Sequence, residues 1–170
     1  ETHMIHLKDL GSFESVPDLV TDIINGNITA LESALNSGWD IAEPVQIGKY
    51  SEYSPLQLAL VMDCLPSVKW LVEHGADLND KENPSFLLSV RYGNQEIIDY
   101  VVAHGANIHA LNCVNVDAFQ AALYGKRYEN LQLIHDLGHT VQKYGGRAFR
   151  NAITDKNYEV LDFFINNGVD

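Results

Sequence analysis

Basic residues are scarce in this 170-residue chain: 11 Lys and Arg stand against 23 Asp and Glu, a net charge of −12. Nucleic-acid binding needs Lys and Arg to displace counterions from phosphate, so this balance argues against it. An anionic membrane surface is disfavoured for the same reason. Cysteine is scarce too. Cys64 and Cys113 are the two in the chain, and with no sign of secretion they read as free thiols in a reducing, cytoplasmic setting. No apolar run approaches the ~20 residues that a membrane helix needs. The opening Glu1-Thr2-His3-Met4 lacks the basic start and apolar stretch of a signal peptide. Met4 is read as the natural start, with Glu1 to His3 left over from cloning.

Chemical motifs are also missing. There is no Gly-x-Gly-x-x-Gly after a strand, no Gly-x-x-x-x-Gly-Lys-Ser/Thr, no Cys-x-x-Cys and no zinc-protease pair of histidines. Tyr144-Gly145-Gly146-Arg147 reads as a tight turn, not as a phosphate cradle. The seven histidines are expected to serve structure: His74 and His104 precede glycines at helix ends, where the dipole is negative. His109 lies past Gly105, and His135 and His139 straddle Gly138, without a ligand set. The expectation is no enzyme, no cofactor and no metal.

The acidity that is present is uneven. Acids outnumber bases 9 to 2 in residues 1–53, 7 to 3 in residues 54–104 and 7 to 6 in residues 105–170. Solubility accounts for such a surface, and so does attraction of a basic partner to the N-terminal half.

Glycines reveal a period. Gly38, Gly75, Gly105, Gly138 and Gly168 are spaced by 37, 30, 33 and 30 residues, each after an amphipathic run. Glycine there is a helix stop, because it accepts the left-handed conformation without steric cost. Windows opening 21 residues earlier, at Pro17, Ser54, Pro84, Asp117 and Arg147, align without a gap. Their third places are Leu19, Leu56, Phe86, Phe119 and Phe149, and their seventh are Ile23, Leu60, Val90, Leu123 and Ile153. Their fifteenth are Leu31, Val68, Ile98, Leu131 and Leu161, and their eighteenth are Ala34, Leu71, Val101, Ile134 and Phe164. All are apolar. One-turn spacing within each pair of places predicts two short helices per window, separated by polar breaks. Pro66 suits the start of a second helix. A single helix pair cannot bury its stripes, so neighbours must stack. No run long enough to argue for a sheet is present.

With these features the sequence resembles the ankyrin repeat family. Ser54-Pro55-Leu56-Gln57-Leu58-Ala59 matches the family's opening pattern, and His74-Gly75-Ala76-Asp77 and His104-Gly105-Ala106-Asn107 match its closing pattern. The resemblance covers residues 17–170 and implies an all-α solenoid of about five helix-turn-helix repeats with short or reduced hairpin fingers. The repeats are placed at about 17–53, 54–83, 84–116, 117–146 and 147–170, with 1–16 a leader or degraded repeat. Met4, Leu7 and Gly11 echo the second helix of such a repeat. The family's histidine is replaced by Gln57, Leu87, Gln120 and Arg150, which alters the hydrogen bonds it makes. Asp22, where a small residue is usual, suits an N-terminal cap. The 11-residue connector Ala106–Val116 fits a hairpin finger, the 8-residue connectors 76–83 and 139–146 fit shortened ones, and Trp39–Tyr53 is enlarged. Cys64 and Cys113 then fall at opposite ends of a repeat unit, beyond disulfide reach. Phe149, Ile153, Leu161 and Phe164 are expected to face no following repeat.

The resemblance implies protein–protein recognition by finger tips and first-helix faces. Carried over by position, the contacts are Val61 and Met62, Arg91 and Tyr92, and Tyr124, with Tyr50, Tyr53, Val114 and Val116 in the fingers. Tyr and Arg anchor interfaces well, and Met adapts to apolar grooves. The expectation is a concave, acidic surface that holds another protein. Two alternatives stay open: an adaptor fragment whose continuation carries an effector function, and an enzyme or ligand-binding protein. The chain is expected to be a monomer unless its C-terminal apolar face self-associates. Shortened repeats of weak consensus resemble bacterial and viral members of the family, which adds the interior of a host cell to the expected locations.

Overall fold

The structure, a computed structural model, describes residues 3–169. They fall into two compact units, one ending at Leu78 and one starting at Asn79. The class is all-α, as the period of the sequence predicts.

The first unit opens with a small hairpin. Strands β1 (Ile5–His6) and β2 (Ser12–Phe13) pair antiparallel, with Ile5 opposite Phe13. The echo of a helical repeat at Met4, Leu7 and Gly11 is therefore corrected. Lys8 and Gly11 adopt positive φ angles of 44° and 123°, which turns the chain back on itself before a helix can propagate. Leu7 is buried, and the Lys8 ammonium donates to the Val61 carbonyl at 3.0 Å.

Helices α1 (Asp18–Asn25) and α2 (Ile28–Asn36) follow, then α3 (Pro55–Val61) and α4 (Leu65–Glu73). Gly26, at φ 69°, closes α1. The Ser54 hydroxyl accepts from the Gln57 amide at 3.0 Å, and Pro55 occupies the first turn of α3. Pro66 lies in the first turn of α4, as expected. Between the two helix pairs the enlarged connector forms strands β3 (Val45–Ile47) and β4 (Ser51–Tyr53), paired with Val45 opposite Tyr53. Val45 and Ile47 turn inward and Gln46 outward, the alternation of a half-buried strand.

The second unit holds α5 (Ser85–Tyr92), α6 (Gln95–Ala103), α7 (Ala118–Tyr124), α8 (Asn130–Asp136), α9 (Val141–Tyr144), α10 (Gly146–Thr154) and α11 (Tyr158–Asn166). Its connectors depart from expectation. Ala106–Val116 carries no strand. The Asn112 side chain accepts from the amides of Val114 and Val116, both at 3.0 Å, and folds the tip into turns. The connector 139–146 contains the short helix α9, and Gly146, read as a turn residue, is the first residue of α10.

Of the aligned apolar places, all four are buried in each of the windows opening at Ser54 and Pro84. Partly exposed ones are Leu19 and Ala34 in the first window, Leu123, and Phe149 and Leu161 in the last, where Ile153 is exposed. Phe164 departs from its expected exposure. It is fully buried, with its ring 5.8 Å from that of Phe119 and 6.0 Å from that of Phe149. Its side chain turns back onto α7 instead of outward.

One polar device recurs in both units. The Ser67 hydroxyl donates to the Ile23 carbonyl, and the Asn130 amide donates to the Val90 carbonyl at 2.9 Å. Ser67 and Asn130 hold the fourteenth place of their windows, while Ile23 and Val90 hold the seventh place of the window before. Each bond ties a second helix to a carbonyl near the end of the preceding first helix, and the Ile23 carbonyl also accepts from the Gly26 amide at 3.3 Å.

Candidate functional site

The expected contact residues divide by what their own elements do with them. In the first unit, Tyr50 lies at the tip of the β3–β4 hairpin and is 86% exposed. The Lys49 ammonium stands 5.1 Å from the centre of its ring. Tyr53, on β4, is turned to structure, since its hydroxyl donates to the Leu10 carbonyl at 2.7 Å. Val61 ends α3 with 1% of its surface exposed, so its side chain belongs to the core. Met62, next to it, is half-buried.

In the second unit, Arg91 and Tyr92 end α5, and Tyr124 ends α7. The Arg91 guanidinium lies 5.0 Å from the ring centre of Tyr92 and 5.9 Å from that of Tyr124. This arrangement follows from close approach of the two helices, for the Arg91 carbonyl lies against Gly125. Tyr124 is 56% exposed. The Tyr92 carbonyl accepts from the Arg127 guanidinium at 2.9 Å, which fixes the end of α5.

Val114 and Val116 separate. Val114 is exposed at the connector tip. Val116 is buried, because the Asn112 turn folds it under the tip. Val61 and Val116 are thus corrected from contact residues to packing residues.

Two depressions flank the Arg91–Tyr124 pair within this unit. One, of about 100 Å³, is lined by Leu87, Leu88, Arg91, Asn112 and Val116, with Glu82 at its edge. The other, of about 170 Å³, is lined by Gln120, Tyr124, Asn151, Asp155 and Asn157. At Gln120 the hydrogen bonds of the family's histidine were expected to be altered or lost. It closes a capping box instead: Asp117 accepts from the Gln120 amide at 3.0 Å, and the Gln120 side chain accepts from the Asp117 amide at 3.3 Å.

The histidines hold more structure than their spacing revealed. His74 and His104 are helix-end residues, as expected, with Nδ1 2.7 Å from the Trp70 carbonyl and 2.8 Å from the Tyr100 carbonyl. His109 and His139, 30 residues apart, meet at 3.0 Å through their Nδ1 atoms. Among the described residues, no group of three or more His, Cys, Asp or Glu side chains is placed to hold a metal ion. No described helix is long and apolar enough to cross a membrane. Cys64 is half-buried and Cys113 exposed, both as free thiols.

Stacked helix pairs closed by left-handed glycines accord with what the comparisons find. The family model for the ankyrin repeat matches residues 51–83. Over that segment the chain is similar to an ankyrin repeat. An ankyrin repeat protein of Acanthamoeba polyphaga mimivirus is 45% identical over 42 residues. That match covers 25% of this chain and 32% of the viral protein, so the chain matches about a third of that relative's length. Ankyrin repeats are, in general, non-enzymatic modules of protein–protein interaction. Their helix pairs supply rigid packing, which leaves the exposed ends of first helices and connector tips free to vary without loss of fold.

Proposed function

We propose that the chain holds a partner protein through the Arg91–Tyr92–Tyr124 cluster of its second unit, in which Tyr124 is exposed and Arg91 and Tyr92 are half-buried, with Met62 and the Tyr50 hairpin tip as contacts on its first unit. The observation that carries this reading is Tyr124. It is exposed beside a guanidinium and lines one of the two depressions, and no core packing requires an aromatic there. Rigid aromatics next to arginine are the residue types that dominate binding energy at interfaces. Val114, exposed at its connector tip, adds apolar contact. The acid excess of residues 1–53 favours a partner with a basic face. The repeats at about 17–53, 54–83, 84–116, 117–146 and 147–170 serve as the scaffold for these contacts.

Affinity capture with wild type and a Tyr92→Ala/Tyr124→Ala variant, at two salt concentrations, tests the reading. The expected result is a protein retained by wild type and lost by the variant, while the variant's melting temperature stays within a few degrees of wild type. Release of the same protein by salt supports the basic-partner component. Equal retention by both proteins overturns the assignment of the site to this cluster. Loss of fold in the variant assigns both rings to packing.

A further inference from the structure

His139 is fully buried in the second unit, between two polar partners. Its Nε2 lies 3.2 Å from Asp117 Oδ2, and its Nδ1 lies 3.0 Å from Nδ1 of His109. Its ring stacks on Tyr144 at 4.1 Å, and His109 stacks on the same tyrosine at 4.8 Å. Phe119 closes a further side, 5.1 Å from His139. Three segments thus meet at one imidazole pair: the connector 106–116 through His109, the N-terminus of α7 through Asp117, and α9 through Tyr144.

The chain of contacts dictates where hydrogens go. A carboxylate oxygen accepts, so His139 Nε2–H donates to Asp117. A neutral His139 then offers a bare Nδ1, and His109 Nδ1–H donates to it. One added proton is accommodated by the pair, because one Nδ1 can still donate across the 3.0 Å contact while the other accepts. A second proton is not. With both rings ionised, two N–H groups point at each other across 3.0 Å, and two positive charges face one carboxylate.

We infer that the His109–His139 pair is a proton-sensitive latch that holds the connector 106–116 in place near neutral pH and releases it in acid. The charged and titratable groups around the pair are Asp117 on α7, and Lys143 and the Tyr144 phenol on α9. Lys143 adds to the cost of a second positive charge. Burial, then the charge of His139, then that of Lys143 push His109 below its ordinary value of 6.5. The connector has other ties as well. Among them, Asn79 donates to the Gly105 carbonyl and accepts from the Asn107 amide, and Arg147 donates to the Asn115 carbonyl. Its tip carries Leu111 and Val114, both exposed, so release of the latch changes how these apolar side chains are presented.

Backbone ¹H–¹⁵N heteronuclear NOE values for amides 109–116, measured at pH 7.5 and pH 5.0, test the inference. In wild type they are expected to match those of α7 at pH 7.5 and to fall by roughly half at pH 5.0, as for a loop that becomes mobile on the nanosecond scale. In His109→Phe, which keeps a ring over Tyr144 but cannot ionise, the values are expected to be the same at both pH values. His109→Gln takes its place should the Phe variant fail to fold. Unchanged values in wild type, an equal fall in the variant, or an equal fall in the helices of the unit would each overturn the latch.

Discussion

The carbonyl oxygen of Arg91 occupies the space that a side chain on Gly125 would need. A Cβ at Gly125 would sit 2.0 Å from that oxygen and 2.8 Å from the carbonyl carbon. The backbone angle of Gly125 is an ordinary helical one, φ −79°. What requires glycine here is the approach of α5 to α7, not the turn. Because the obstacle is main chain, no rotamer change relieves it. Gly125→Ala is expected to cost about 3 kcal/mol or more, as overpacking against a rigid neighbour does. Gly105→Ala is the contrast: its φ is 102° but its surroundings are open, so only backbone strain of about 1–2 kcal/mol is expected. Urea denaturation of the two variants decides it, and a Gly125→Ala cost no larger than that of Gly105→Ala would refute the close approach.

Removal of the recurring polar tie should expose its worth. Asn130→Ala leaves the Val90 and Gly93 carbonyls without the amide that reaches them at 2.9 Å and 3.3 Å. A loss of about 1–3 kcal/mol follows from stranding buried acceptors. Ser67→Ala, which leaves the Ile23 carbonyl with the Gly26 amide alone, should cost about 1 kcal/mol, toward the lower end of that range. Equilibrium unfolding measures both, and equal, negligible losses would mean that water replaces the bonds.

Thiol reactivity should separate the two cysteines. Cys113 is exposed in its connector, while Cys64 is half-buried and directs its sulfur toward the Ser67 hydroxyl at 3.5 Å. Mass spectrometry after brief alkylation is expected to show Cys113 modified first. Faster modification of Cys64 would indicate that the turn between α3 and α4 opens readily.

Stability should depend on pH through His109. Its folded-state value lies below the ordinary 6.5, chiefly through burial, so the unfolded chain takes the proton more readily. The contribution is full above 6.5, is lost as pH falls from there to the lowered value, and is flat below it. Denaturant midpoints from pH 8 to pH 5 should therefore decline more in wild type than in His109→Phe. Parallel declines would show that His109 does not contribute.

Capture of a partner should depend on Tyr124 more than on Tyr53. Tyr124→Ala removes an exposed ring, with the melting temperature expected to hold. Tyr53→Phe removes the hydroxyl that donates to Leu10 and is expected to cost about 1 kcal/mol of stability while leaving capture intact. Binding assays alongside thermal melts separate the two, and the opposite pattern would move the contact surface to the β3–β4 hairpin.

Much of the fold was written locally. The glycine period, the apolar places and Pro66 at the start of a second helix all depend on neighbours within a turn or two, so the chain order alone displays them. Exposure at Tyr50 and Tyr124 was legible for the same reason: both fall outside the apolar stripes. The fate of Val61, Val116 and Phe164 was not. An apolar side chain at the edge of a stripe is buried or exposed according to what lies over it, and for Val116 that is a turn built by Asn112. The N-terminal hairpin was hidden because two-residue strands carry no period to detect. His109 and His139 were invisible as a pair because their contact spans 30 residues and depends on how two connectors cross. The sequence determined helix pairs, their spacing and their acidic composition, since these follow from short-range periodicity and residue content. Tertiary structure alone decided which polar groups meet, because a hydrogen bond of 3 Å between distant residues is set by packing of the elements that carry them.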